Sequence, residues 1–236
     1  MRMRTVIVAA ALLAACGSDQ SGGDTTATSQ PTTTTTQPAT TTTATLPAQL
    51  QQPAIWPAAH IVFGTPEAAA ADFIAAVFGD GPVLGEFRAG DQRSGEIEVF
   101  ASVDGAAIST ARSVLLLRQL GPSDGWFVIT AASENATITV PVSASVVPAG
   151  PLTVEGAATG FEATVVVSAF VAGRSHLELD KEVTMAGNFG EVLPYSVSLD
   201  LAGASPGDIV TLLVRGGAGL ETDPGDFGAI PVVIGG

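Results

Sequence analysis

The densest concentration of reactive side chains is the run Phe87-Arg88-Ala89-Gly90-Asp91-Gln92-Arg93-Ser94-Gly95-Glu96. Two guanidinium forks beside a glycine-rich turn have the donors to grip a carboxylate, a phosphate or a sugar acid. On that chemistry Arg88, Asp91, Arg93, Ser94 and Glu96 are candidate ligand-binding residues. The competing reading is structural: arginines and carboxylates pair with one another, and the glycines shape a loop ahead of a strand. The structural reading is favoured, since linear order does not show side chains converging on one point.

Three other patterns carry less. Gly121-Pro122-Ser123-Asp124-Gly125 matches G-x-S-x-G. A nucleophile elbow needs a strand before the serine and a helix after it, whereas here Trp126 to Thr130 reads as a second strand, so a turn is expected. Glu221-Thr222-Asp223-Pro224-Gly225-Asp226 offers three carboxylates but not the D-x-[DN]-x-[DN]-G spacing of a calcium loop, and is expected to be a solvated turn. His60 and His176 lack partners at metal-ligand spacing. No catalytic residue, metal or cofactor is expected.

The elements that position these residues fall into two groups. Thr65-Pro66-Glu67 predicts a helix start, with Thr as N-cap, Pro at the first helical position and an acid in the first turn. Phe73, Ile74, Val77 and Phe78 then share a face, and Gly79 with Gly81-Pro82 ends the helix. Glu96 to Val103 alternates with Ile97, Val99, Ala101 and Val103 on one side. Asp104-Gly105 signals a hairpin into Thr110 to Leu120, and a turn at Gly121 to Gly125 leads into a third strand. One helix on an antiparallel meander predicts a small α+β domain over residues 53–140.

Residues 141–236 carry no helix signal. Short strands are predicted at Leu152 to Gly156, Phe161 to Val171, His176 to Thr184 (Leu177, Leu179 and Val183 inward), Leu193 to Leu201, Asp208 to Arg215 and Ala229 to Ile234. With Ile138 to Val142 this is about seven strands in about 100 residues, the pattern of an immunoglobulin-like β-sandwich. Pro148-Ala149-Gly150-Pro151-Leu152-Thr153-Val154-Glu155-Gly156-Ala157-Ala158, followed by Phe161-Glu162-Ala163-Thr164-Val165, resembles the immunoglobulin-like domain family named after bacterial spore germination. The resemblance covers roughly the last 90 residues and implies no catalytic residues. The part before it, with "FRAGDQRSGEIEV" and "LLLRQLGPSDGWFVI", looks like the domain that precedes it in secreted actinobacterial-type proteins.

The amino-terminal end has its own chemistry. Met1-Arg2-Met3-Arg4 and an apolar run from Val6 to Leu13 lead into Leu12-Leu13-Ala14-Ala15-Cys16. This resembles a bacterial lipoprotein signal peptide over residues 1–15. The family implies that the Cys16 thiol receives a diacylglycerol, that the chain is cut before it, and that the new terminus is fatty-acylated, palmitate being a usual chain. The apolar run is shorter than the roughly 20 residues that span a bilayer. Buried methylenes contribute about 0.8 kcal/mol each, so paired chains anchor firmly where one does not. Residues 16–52 hold Thr32 to Thr36 and Thr40 to Thr43 with interspersed Pro and Gln. Such a segment buries too little to offset its ordering entropy. It predicts a disordered tether, spanning roughly 30–35 Å as a coil and on the order of 100 Å when extended, of a composition that accepts O-linked glycans.

Cys16 is the only cysteine, so no disulfide within the chain is available and apolar cores must supply stability. Removing Arg2 and Arg4 leaves seven basic against 23 acidic residues, a charge of −16. Such a balance disfavours nucleic acid as a partner. The expectation is an extracytoplasmic, lipid-anchored protein of the cell membrane acting as a non-enzymatic interaction module for a wall polymer or another envelope protein. Two alternatives stand beside it: a ligand-binding or hydrolytic first domain presented by a structural sandwich, and a purely structural spacer.

Overall fold

A computed structural model describes residues 51–103, 106–188, 190–220 and 222–236. The expected signal peptide, Cys16 and nearly all of the tether lie outside them, as do the Asp104-Gly105 turn and Glu221.

The one α-helix among the described residues, α1 (Pro66–Phe78), begins and ends where its caps predict. Thr65 Oγ1 accepts the Ala68 N–H at 3.2 Å, Pro66 occupies the first turn, and Gly79 closes the helix at φ 76°. Phe73 and Ile74 are buried, and Val77 and Phe78 pack beside them.

The strands, in chain order, are β1 (Val83–Leu84), β2 (Arg88–Ala89), β3 (Ser94–Val103), β4 (Ala106–Leu120), β5 (Gly125–Ala132), β6 (Ala136–Val140), β7 (Val146–Val147), β8 (Pro151–Ala158), β9 (Thr164–Val171), β10 (Glu178–Met185), β11 (Leu193–Asp200), β12 (Ile209–Gly216) and β13 (Phe227–Ile234). A long sheet runs β1-β3-β4-β5-β13-β12-β9-β10, with β2 on β3 and β7 on β13; a short one runs β11-β8-β6. Apart from β7 on β13, the ladders are antiparallel. The chain is mostly β, and its two packed sheets are consistent with a β-sandwich. Val154, Tyr195 and Leu199 of the short sheet meet Val165, Val167, Leu212 and Val214 of the long one.

The long sheet is buried on both sides near its middle. Val210, Leu212 and Val214 of β12 face the short sheet, while Leu213 joins Phe73, Ile97 and Leu117 in the core under α1. Ile209 joins Leu120 and Phe127 in a third cluster. Double burial explains why Ile209 to Val214 reads as an apolar run interrupted only by Thr211 instead of an alternating one. The expected boundary between residues 140 and 141 falls at the end of β6, a strand that pairs with β8 beyond it, and the long sheet continues across from β5 to β13.

That crossing is narrow. β5 and β13 pair through Ala131 and Ala229 alone. Beside it, the Ile55 and Trp56 N–H groups donate to Val128 O at 3.0 and 3.2 Å, and Val128 N–H returns to Trp56 O at 2.8 Å. The fully buried Thr211 hydroxyl on β12 donates to Ile55 O at 2.9 Å. The Trp56 indole N–H reaches Asp72 Oδ2 on α1 at 2.7 Å. One incoming segment thus touches β5, β12 and the helix.

Three expectations need correction. Phe161–Ala163 is a short 3-10 turn, not the start of a strand, because Glu162 and Ala163 take left-handed φ values of 53° and 59°. The expected inward row of Leu177, Leu179 and Val183 does not form. The register slips between Glu178 and Asp180, so Leu179 packs into the sandwich core while Val183 sits opposite Val166, outside that row. Val183 is 63% and Met185 73% exposed on the outermost strand, and Leu177 is exposed ahead of it. A similar slip between Val99 and Ser102 turns Val103, also expected inward, out to solvent.

Replacing Thr211 by the near-isosteric Val leaves Ile55 O without its donor in a dry site. The expected loss is about 1–3 kcal/mol, read as a lower denaturant midpoint at unchanged m-value.

Candidate functional site

The candidate cluster is a hairpin. β2 pairs with β3 through Arg88–Glu96 and Ala89–Gly95. Its turn is closed by Gly90 N–H to Ser94 O at 2.9 Å and by Asp91 Oδ1, which accepts the Arg93 N–H at 2.7 Å. The Arg93 amide, and after it the Ser94 hydroxyl, holds the Asp91 carboxyl below the usual carboxylate range. Gly95 is required by space: a β-carbon there would stand 2.4 Å from Arg88 O and from the Phe87 ring.

The two arginines part company. Arg88 donates from Nε to Glu96 Oε1 at 3.1 Å and from Nη2 to Glu98 Oε1 at 2.9 Å. Arg93 Nη2 turns the other way, to Asp124 in the β4–β5 turn and to Gln119 O at 3.4 Å. Asp91 and Arg93 therefore shape and tie the turn. Arg88, Ser94 and Glu96 instead line an open cleft of about 460 Å³ together with Gln52, Leu116, Arg118 and Ile129. Gly121 to Gly125 joins two strands, as the sequence predicts for that turn.

Arg118 was not legible as a member of this group. Counting outward from Asp104-Gly105 places Leu115 opposite Ser94; the register slips in β3 move Arg118 there instead. Arg118 has no ion-pair partner among the described residues. It ends a row on β4, Arg112-Val114-Leu116-Arg118, which alternates with the buried Ser113, Leu115 and Leu117. The row spans about 20 Å at strand rise.

At the other end, Arg112 clamps the loop between β12 and β13. Its Nε donates to Asp223 Oδ1 at 3.0 Å and its Nη2 to Oδ2, while Asp226 Oδ2 lies 4.0 Å from Nη1. The Asp223 side chain is only 7% exposed. The expected solvated turn is thus partly buried, with a guanidinium held against its carboxylates. Burial pushes the Asp226 carboxyl above its ordinary pKa, against the opposing pull of Arg112 and a hydrogen bond with Asn135. Residues 111 positions apart give no local signal for this contact. His60 and His176 are both exposed.

Comparison with protein-family models, curated proteins and solved structures finds no match.

Two outcomes follow from these geometries. Arg112→Ala strands a buried carboxylate and is expected to cost about 3–5 kcal/mol, against about 0–1 kcal/mol for exposed Arg88→Ala, both by chemical denaturation. Asp226 binds its proton more tightly folded than unfolded, so its contribution to stability falls as pH rises from about 3.8 through the raised value. Asp226→Asn removes that loss, and the variant's stability relative to wild type is expected to improve steadily across the same window.

Proposed function

We propose that this chain is a lipid-anchored protein of the extracytoplasmic membrane face whose folded body is a non-enzymatic binding module. The observation that carries this reading is the exposed Arg112-Val114-Leu116-Arg118 row. Arg118 supplies a cation at one end, Leu116 is exposed and Val114 half-buried, and Arg112 at the other end is held by Asp223. An open face of that kind suits an extended partner such as a wall polymer or envelope protein better than an enclosed reaction. Leu12 to Cys16 supports the anchor, and the Thr/Pro-rich residues 16–52 support a tether that lifts the body from the bilayer. The packed antiparallel sheets, together with Pro148 to Ala158 and Phe161 to Val165, support an immunoglobulin-like domain of the spore germination family as the second part.

The cleft between Arg88 and Arg118 favours one alternative, a small-ligand site in the first part. Its unpaired guanidinium and the exposed Leu116 suit a carboxylate carried on an apolar body.

In cells, Cys16→Ala is expected to move the protein from the detergent phase to the soluble fraction. Crosslinking on intact cells is expected to recover a wall fragment or envelope protein with wild type and to lose it with Leu116→Asp/Arg118→Ala. Recovery that is unchanged in that variant would sink the assignment of the β4 row.

A further inference from the structure

The end of the body around Arg112 holds a second polar surface, away from the Arg88 cleft. Two open clefts of about 300 and 680 Å³ lie side by side, sharing Arg112 and Asp226 in their walls, as the two halves of a broken trough. We propose that this trough binds a neutral glycan strand, an inference that rests on the extracytoplasmic placement above but not on the Arg88–Arg118 cleft.

The shape comes first. Both halves are open to solvent, which suits a polymer lying across them and does not enclose a small molecule. Its wider half is bordered by exposed Thr110 and by Ser133, Asn135 and Thr137, of which Thr137 is held at both its donor and its acceptor by Ala157, Ser133 accepts the Asn135 N–H, and Asn135 bonds Asp226. Its narrower half has Gly160, Gly190, Gly217 and Gly225 in the wall, where backbone lies bare. Thr159, buried in the same wall, has a hydroxyl without a partner among the described residues.

The charges point to a neutral occupant. Arg112 is committed to Asp223 in a two-point pair. Asp226 is biased towards its neutral form by burial, and Glu134 adds an acid at the wide end. An anionic polymer meets no free cation here. Asp226 lies 4.0 Å from the Arg112 guanidinium and shares a hydrogen bond with Asn135, and its remaining lone pairs are the ones open to a sugar hydroxyl.

The narrow end carries an aromatic side chain placed at a cost. Phe161 is 49% exposed and lies beside Gly219, where a β-carbon would come within 3.3 Å of the ring. It precedes two successive non-glycine residues in left-handed conformation, Glu162 and Ala163, held by Phe161 N–H to Gly217 O at 2.6 Å and Ala186 N–H to Ala163 O at 3.0 Å. Strain that neighbouring contacts hold in place marks a side chain being aimed. A ring face at the end of a hydroxyl-lined trough fits the C–H face of a pyranose.

The test titrates the full lipidated chain in detergent with a linear β-1,4-linked N-acetylglucosamine hexamer, by calorimetry. Oligolysine and polyphosphate serve as charged comparators. The hexamer is expected to bind wild type, with affinity reduced tenfold or more by Phe161→Ala and by Thr110→Trp, which fills the wide half from an exposed strand position. Thermal midpoints of both variants are measured alongside, and Val183→Ser, at an exposed strand position outside both clefts, is expected to bind like wild type. Loss in the Leu116/Arg118 variant with retention in the trough variants would reassign glycan binding to the β4 row and overturn the proposal. No hexamer binding, or tighter binding of either charged polymer, overturns it as well.

Discussion

The carbonyl of Ile55 is the point on which the molecule closes. Its partner, the Thr211 hydroxyl, sits at the middle of the doubly buried β12, while the neighbouring amides of Ile55 and Trp56 reach Val128 on β5. Because the β5–β13 ladder is one residue pair, supplemented by the Thr130 hydroxyl donating to Ala229 O, the long sheet gains much of its joining there from this incoming segment. A dry carbonyl with one donor has no substitute in water, so the seam has little tolerance for alternatives. The helix is drawn into the same arrangement through Trp56 and Asp72.

From that seam the two ends of the long sheet serve different purposes. Towards β9 and β12, one face meets the short sheet and the other meets the helix side, giving a core without an exposed surface. Towards β3 and β4, the face opposite the helix stays open and carries the arginine row. The Arg88 hairpin and the β12–β13 loop flank that row at its two ends, each through charge pairs. They differ in kind: Arg88 and its glutamates are largely exposed, and Arg112 with Asp223 is mostly enclosed. The enclosed pair fixes a loop; the exposed one leaves a cation free to exchange partners.

What the sequence made legible was local. Thr65-Pro66 and Gly79 mark the helix because capping is settled by the residues at its ends. Ile97, Val99 and Ala101 mark the buried side of β3 because alternation is settled by strand geometry. Register was not legible. A slip at Glu178–Asp180 separates Val183 from Leu179, and slips in β3 bring Arg118, not Leu115, opposite Ser94. Bulges of this kind depend on the neighbouring strand, which linear order does not contain. The pairing of Arg112 with Asp223 and of Thr211 with Ile55 lay beyond reach for the same reason. Of the candidate hairpin, Arg88, Ser94 and Glu96 face the cleft, while Asp91 and Arg93 serve the turn.

The segment that closes the seam begins three residues after Gln52, which stands in the wall of the Arg88 cleft. Tension on the chain ahead of it would be delivered to Ile55, Trp56 and Val128 before any outer strand felt it. An occupant of the cleft that touched Gln52 would therefore sit next in sequence to the contacts that join β5 to β12.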